Sequence, residues 1–168
     1  MYRKIITQQP LTLVTLDEVK RQCRVFNTFE DVYLTSLILP FCNLAQTYTN
    51  RMLTTGSAIV VYEDCYATQQ LPYGEVSDIT EVLVDGVATT DYTFNMITQK
   101  ITVKVRYHEL TVSFDAGYSS TPDIVKQAVL VMINTAFVNR EDVNVGEGVS
   151  KMPRTAEDLL DSVRYYVS

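Results

Sequence analysis

His108 is the only histidine of the chain, so acyl transfer of the Ser-His-Asp or Cys-His type would have to run through it. It stands in Arg106-Tyr107-His108-Glu109, a polar stretch between two alternating runs, and nothing nearby has the form of a nucleophile elbow. That is the setting of an exposed turn histidine. Carboxylates are plentiful, but Glu63, Asp64, Asp78, Glu81, Asp85 and Asp91 all fall in or near turn-like sequence, where acidic side chains solvate and cap loops. No calcium-loop spacing links them. The six glycines are scattered and build no phosphate-cradling loop. Cys23, Cys42 and Cys65 are far apart with no CxxC pair, which argues against a zinc site or a redox motif. Cys23 continues the face of Leu16, Val19 and Phe26, and Cys42 continues that of Ile38 and Ala45. Both read as reduced core thiols, while Cys65 lies in a turn-like region. No catalytic residue, metal or cofactor is expected.

The eleven tyrosines, with no tryptophan, suit half-buried strand positions better than a carbohydrate-binding face. A length of 168 residues, 46% apolar and 20% charged, fits one folded domain with an elaboration. The net charge is −6, and it is unevenly spread. Residues 1–51 hold six basic and four acidic groups, 52–121 three basic and nine acidic, and 122–168 five basic and seven acidic. An acidic middle excludes a DNA binder that grips phosphates, which needs a basic face. Polar Thr7-Gln8-Gln9 follows the basic start too soon for a signal peptide. The longest apolar region, 124–138, includes Lys126, Gln127, Asn134 and Thr135 and falls short of the roughly 20 residues a bilayer crossing needs. A soluble protein made in the cytoplasm, without membrane contact, is expected.

The elements that would position any site follow from periodicity. Thr15 and Glu18 form a capping box that opens a short helix ending near Arg24. Asn27 or Thr28 caps a second helix, whose Leu34, Leu37, Ile38, Phe41, Ala45, Tyr48 and Met52 recur at three- and four-residue steps. Pro40 should kink it, and Gly56 marks the end of this unit. From residue 58 to 115 the period becomes 2. Apolar runs at 59–62 and 79–84 are followed by alternation at Tyr92, Phe94 and Met96, at Ile101, Val103 and Val105, and at Leu110, Val112 and Phe114. Asp85-Gly86 marks a tight hairpin. Five strands with one apolar face imply an antiparallel sheet or small sandwich. Thr121-Pro122 starts a helix so apolar that it should be buried nearly all round. Residues 142–154 read as a flexible connector, and Thr155 with Asp158 opens a last helix carrying Leu159, Leu160, Val163 and Tyr166.

The fold class is therefore α+β, a helical unit formed by N- and C-terminal helices with an antiparallel β-sheet or sandwich insertion between them. Within one composite domain, residues 1–56 supply the N-terminal helices, 57–117 the β-insertion, and 118–168 the C-terminal helices and a docking tail. Asn50-Arg51 and Asn139-Arg140 each close a long helix. Either arginine could meet the negative helix end, worth ~0.3–1 kcal/mol. Alternatively Arg51, Arg140 and Glu141 make contacts between helices or between subunits.

Several fragments share an order with one family. Leu13-Val14-Thr15-Leu16-Asp17-Glu18-Val19-Lys20 resembles its opening helix start, and Glu30-Asp31-Val32-Tyr33-Leu34 with Tyr48-Thr49-Asn50-Arg51-Met52-Leu53 its second helix and ending. Phe114-Asp115-Ala116-Gly117-Tyr118 with Pro122 resembles its strand-to-helix junction. Phe137-Val138-Asn139-Arg140-Glu141 and the closing run from Leu160 to Arg164 resemble its last two signatures. Pro40 departs from the pattern, as does phenylalanine at 137 where tyrosine is commoner. The chain thus resembles the tailed-phage head–tail connector (adaptor) proteins of the gp6-like group, which include prophage and gene-transfer-agent relatives. The resemblance implies a structural virion protein without an active site, in the head–tail neck. Such proteins form a ring, typically of twelve copies, between the portal protein and the stopper or tail-completion proteins, and extend the channel through which DNA passes without sequence-specific binding. Leu159, Leu160, Val163, Arg164, Tyr165 and Tyr166 would form the tail that docks on the portal. The alternatives are another neck or tail-completion protein, or a small acidic hydrolase.

Overall fold

A computed structural model of the protein describes residues 11–63, 68–139 and 152–166, and the backbone of 2–8. In chain order the elements are β1 (Tyr2–Gln8), α1 (Leu16–Cys23), α2 (Asp31–Thr49), β2 (Gly56–Glu63), β3 (Thr68–Gln70), β4 (Val76–Val84), β5 (Val87–Ala88), β6 (Tyr92–Asn95), β7 (Lys100–Val103), β8 (Glu109–Ala116), α3 (Asp123–Val138) and α4 (Arg154–Asp161). The fold is α+β, as the change of period implied. Two compact units result. One holds the four helices, from residues 10–49 and 121–164; the other holds the strands, from residues 1–9, 50–120 and 165–168.

In the helical unit the capping box forms as its residue types require. The Thr15 amide donates to Glu18 Oε2 at 2.6 Å and the Glu18 amide donates to Thr15 Oγ1 at 3.3 Å. The hydrogen bonds from Thr15 hold the Glu18 carboxyl below its ordinary range. Helix α1 stops where Arg24 turns left-handed, at φ 56°, and the Val25 amide reaches back to the Lys20 carbonyl at 2.9 Å. That is a Schellman ending made with arginine in place of glycine. Phe26 was expected on the buried face of this helix, but the chain has turned before reaching it. It is 90% exposed. Asn27 caps no helix either. Its Oδ1 accepts from the Phe29 amide at 3.1 Å, a local turn. Helix α2 runs as one element through Pro40 and buries Leu34, Ile38, Cys42 and Ala45.

Helix α3 packs against α1, α2 and α4, and a single stripe of Val125, Ala128, Val129, Met132 and Ile133 is fully buried. All-round burial does not occur, since Leu130 and Val131 are half-buried and Val138 is 69% exposed. Three neighbouring helices on one side of a helix cover only that side. The helix begins at Pro122 with no side-chain cap. Helix α4 likewise begins after Pro153, with Thr155 already inside it, because proline's fixed φ suits an N-terminal position. It ends at Asp161, so Val163 and Tyr166 lie beyond it. Tyr48 donates its hydroxyl to Asp161 at 2.7 Å, tying α2 to α4 and pushing the phenol pKa up to about 12.

The β unit is two sheets sharing a core. A five-stranded antiparallel sheet has the order β1-β2-β8-β4-β5, and a three-stranded one the order β3-β7-β6. Ala58, Val60 and Tyr62 of β2 meet Leu110, Val112 and Phe114 of β8 on the inner face, against Ile101 and Val103 of β7. Burying each large apolar side chain here stabilises the fold by about 1.5–3 kcal/mol. The five expected strands all form, but β6 ends at Asn95 and β7 at Val103, leaving Met96 and Val105 outside the alternation and exposed. Strands β1 and β3 carry no clear alternation in sequence and form because β2 and β7 lie beside them. The buried Gln99 links the β6–β7 hairpin to β4. Its side chain accepts from the Val76 amide at 3.0 Å and donates to the Met96 carbonyl.

Asp85-Gly86 makes the expected two-residue hairpin turn, with φ of 48° and 79° and Val84 paired to Val87. The Asp85 carboxylate accepts from the amides of Glu109 and His108, both at 2.9 Å, and these bonds hold its pKa below the ordinary value. A depressed carboxyl pKa contributes stability above the unfolded-state pKa, and that contribution is lost as pH falls through the folded value. Asp85→Asn should therefore lower the denaturation midpoint at pH 7, with the gap to wild type closing below roughly pH 4. Urea titrations at both pH values check this; a gap that persists in acid would contradict it.

Candidate functional site

No described residues form a group of three or more His, Cys, Asp or Glu able to hold a metal. Among the described residues no helix is long and apolar enough to cross a membrane. His108 is exposed in the loop before β8, where its amide serves Asp85. Cys42 is buried and Cys23 half-buried, and burial raises both thiol pKa values, the opposite of an activated nucleophile. Cys65 lies outside the described residues, as do Arg140, Glu141 and most of the glycine-bearing connector.

Arg51 sits past the end of α2, and the partners of its guanidinium belong to the β unit. Nη1 is 3.1 Å from Glu75 Oε1, and the guanidinium carbon is 5.4 Å from the Tyr165 ring centre and 5.8 Å from that of Tyr118. Gly74 gives the room for this, since a Cβ there would lie 2.6 Å from Arg51 Nη1. The Tyr165 hydroxyl accepts from Gln70 Nε2 at 2.8 Å and donates to the Leu71 carbonyl at 3.4 Å. Burial raises the Tyr118 phenol pKa, and Arg51 opposes the shift. The cluster joins residue types that could serve an acid–base site, and the Arg51 guanidinium ties them together through the Glu75 carboxylate and the two rings. Its chemistry is that of a clasp.

The tail residues divide. Leu160 is fully buried in the helical unit and Tyr165 is held in the Arg51 clasp. Leu159 and Val163 are half-buried, and Arg164 lies over the Tyr48 ring at 4.7 Å. Tyr166 is 67% exposed. Larger exposed apolar groups lie elsewhere, at positions the sequence reading missed. Phe29 is 92% and Val32 84% exposed, beside Phe26, and Ile97 projects with Met96 from the β6–β7 turn. The break in α1 periodicity after Cys23 was the available signal for the first group. Contiguous exposed apolar groups, unlike single scattered ones, are a common feature of interaction surfaces.

The described residues thus make an α+β fold of a helical unit and a β unit, with exposed apolar clusters on each. The family model of the phage gp6-like head-tail connector protein matches residues 13–164, and the chain belongs to that family. Among solved structures, it is similar to a chain in the neck of an empty gene transfer agent particle computed with C6 symmetry, with 17% identity and a TM-score of 0.70, covering 100% of this chain and 97% of that one. A chain in the virion of a native gene transfer agent particle gives 16% identity and 0.69, with the same coverage of both chains. One in the neck of the native particle, computed with C12 symmetry, gives 16% and 0.65, again with 100% and 97% coverage. At these identities the likeness establishes the fold over the whole chain. Comparison with curated proteins gives no match.

Proposed function

We propose that the chain is the structural adaptor of a head–tail neck, forming a ring between a portal protein and the stopper or tail-completion proteins. The observation that carries this is the family match across both units, from residue 13 to residue 164. The whole-chain likeness to chains from necks computed with C6 and C12 symmetry supports a ring, with twelve copies as the expected number. An acidic chain of net charge −6 suits a channel wall, because like charge keeps DNA from adhering. The adaptor has no enzymatic step. The exposed end of the tail, with Arg164 and Tyr166, is the part available to a portal, whereas Leu160 and Tyr165 order the tail behind it.

Electron microscopy of the protein mixed with portal-bearing capsids tests the reading. A ring seated on the portal vertex is the expected image. A bare portal at saturating protein would overturn it, and a ring seated only on a preformed adaptor would assign the chain to a later neck component.

A further inference from the structure

Phe26, Phe29 and Val32 stand almost wholly in solvent on and beside the α1–α2 connection. We propose that this cluster is one half of the contact between neighbouring copies of the chain, and that it seats on the outward face of the five-stranded sheet of the next copy. The inference rests on the connector reading and goes beyond it by naming both surfaces.

The cluster is held ready for contact. Lys20 Nζ is 2.6 Å from Asp31 Oδ1, fixing the end of α1 to the start of α2, and the Asn27 side chain fixes the Phe29 backbone. Rigid presentation of this kind reduces the ordering cost of association. Two phenylalanines and a valine at these exposures offer roughly 400 Å², about half of the ~800 Å² that each partner contributes to a stable interface. Arg21 and Arg24, both exposed, flank it.

The complementary surface lies on the same chain. Ile59, Val61 and Leu83 line the outward face of β2 and β4, because they alternate with the buried core positions and pair with Ser113 and Thr111 of β8. Carboxylates from Asp78, Glu81 and Asp115 border that apolar row on its β4–β8 side, where neither strand contains lysine or arginine, while on the other side Ile5 and Arg3 of β1 pair with Ile59 and Val61. Asp78 and Asp115 are direct cross-strand partners, a like-charge pairing that an incoming cation would relieve. An apolar row bordered by acid along β4 and β8 thus matches an apolar cluster bordered by arginine. A closed ring of identical chains requires two different, mutually complementary surfaces on each copy, and here there are two.

The test uses the full chain and portal-bearing capsids, with circular dichroism as the folding control. The double variant F26D/F29D should keep its fold and lose at least tenfold in ring occupancy. R21E/R24E and D78R/E81R should each assemble poorly, and a single chain carrying all four changes should recover most of the wild-type occupancy. Normal rings from a folded F26D/F29D would overturn the inference and leave the connector reading standing. Normal rings from D78R/E81R, or no recovery in the fourfold variant, would overturn the pairing with the sheet face. Absence of a ring in the wild type would remove the connector reading, and this inference with it.

Discussion

Gly117→Ala is expected to destabilise the protein by at least ~3 kcal/mol and to lower its melting temperature by about 10 °C. Gly117 has a φ of 107°, a region that side chains rarely enter. An added Cβ would lie 2.1 Å from the Thr54 carbonyl oxygen and 2.7 Å from its carbon. Both are backbone atoms of the segment between α2 and β2, so no rotamer change relieves the clash. The Gly117 amide also donates to the Glu75 carbonyl at 3.2 Å, so moving residue 117 strains two other segments. A folded domain has only about 5–15 kcal/mol to lose in total. Differential scanning calorimetry decides the matter, and a variant melting within 2 °C of wild type would show that the junction gives way easily.

Arg51→Met should cost about 1–3 kcal/mol and free the C-terminal residues. The Arg51 side chain is only 17% exposed, whereas that of Glu75 is 51% exposed. The ion pair is therefore screened and contributes little, ~0–1 kcal/mol. More of the effect comes from the two tyrosine rings, each worth ~0.5–2 kcal/mol beneath a partly desolvated guanidinium. Without it Tyr165 keeps its bonds to Gln70 and Leu71 but loses the charge that lies over its ring. Chymotrypsin should cut at Tyr165 and Tyr166 several-fold faster in the variant. Arg51→Lys should recover less than half of the loss, because an ammonium lacks the planar fork that reaches a carboxylate while stacking on rings. Equal cleavage rates in variant and wild type would remove the clasp from the account of the tail.

The elements with local signals were the more legible part of the sequence. The Thr15–Glu18 box, the recurrence from Leu34 to Ala45 and the Asp85-Gly86 turn each act within a few residues, and each appears where its residue types place it. Elements whose reason lies far along the chain were not legible. Strand β1, from Tyr2 to Gln8, pairs with β2, from Gly56 to Glu63, far along the chain, and nothing in Tyr2-Arg3-Lys4-Ile5-Ile6 announces that partner. Phe26 kept the apolar period of α1 on paper, yet the left-handed turn at Arg24 carries it into solvent. The candidate surfaces divide in the same way. The tail was visible as an apolar pattern, but that Leu160 is core and Tyr165 belongs to a clasp depends on what lies opposite each side chain.

By itself the sequence determined the class of the protein. It contains residue patterns for capped helices and alternating strands, no motif for catalysis or metal binding, and the ordered fragments of a connector. Periodicity, capping and turn chemistry are short-range, so they can be read without knowing the neighbours. Only the tertiary structure decided why the glycine of Ala116-Gly117-Tyr118 is required, what Arg51 holds, and which apolar side chains remain uncovered. Those depend on the approach of Thr54 to Gly117 and of Tyr165 to Arg51, and on the turn at Arg24 that leaves Phe26 and Phe29 exposed. Close approach between distant segments is a property of packing, and the order of residues does not state it.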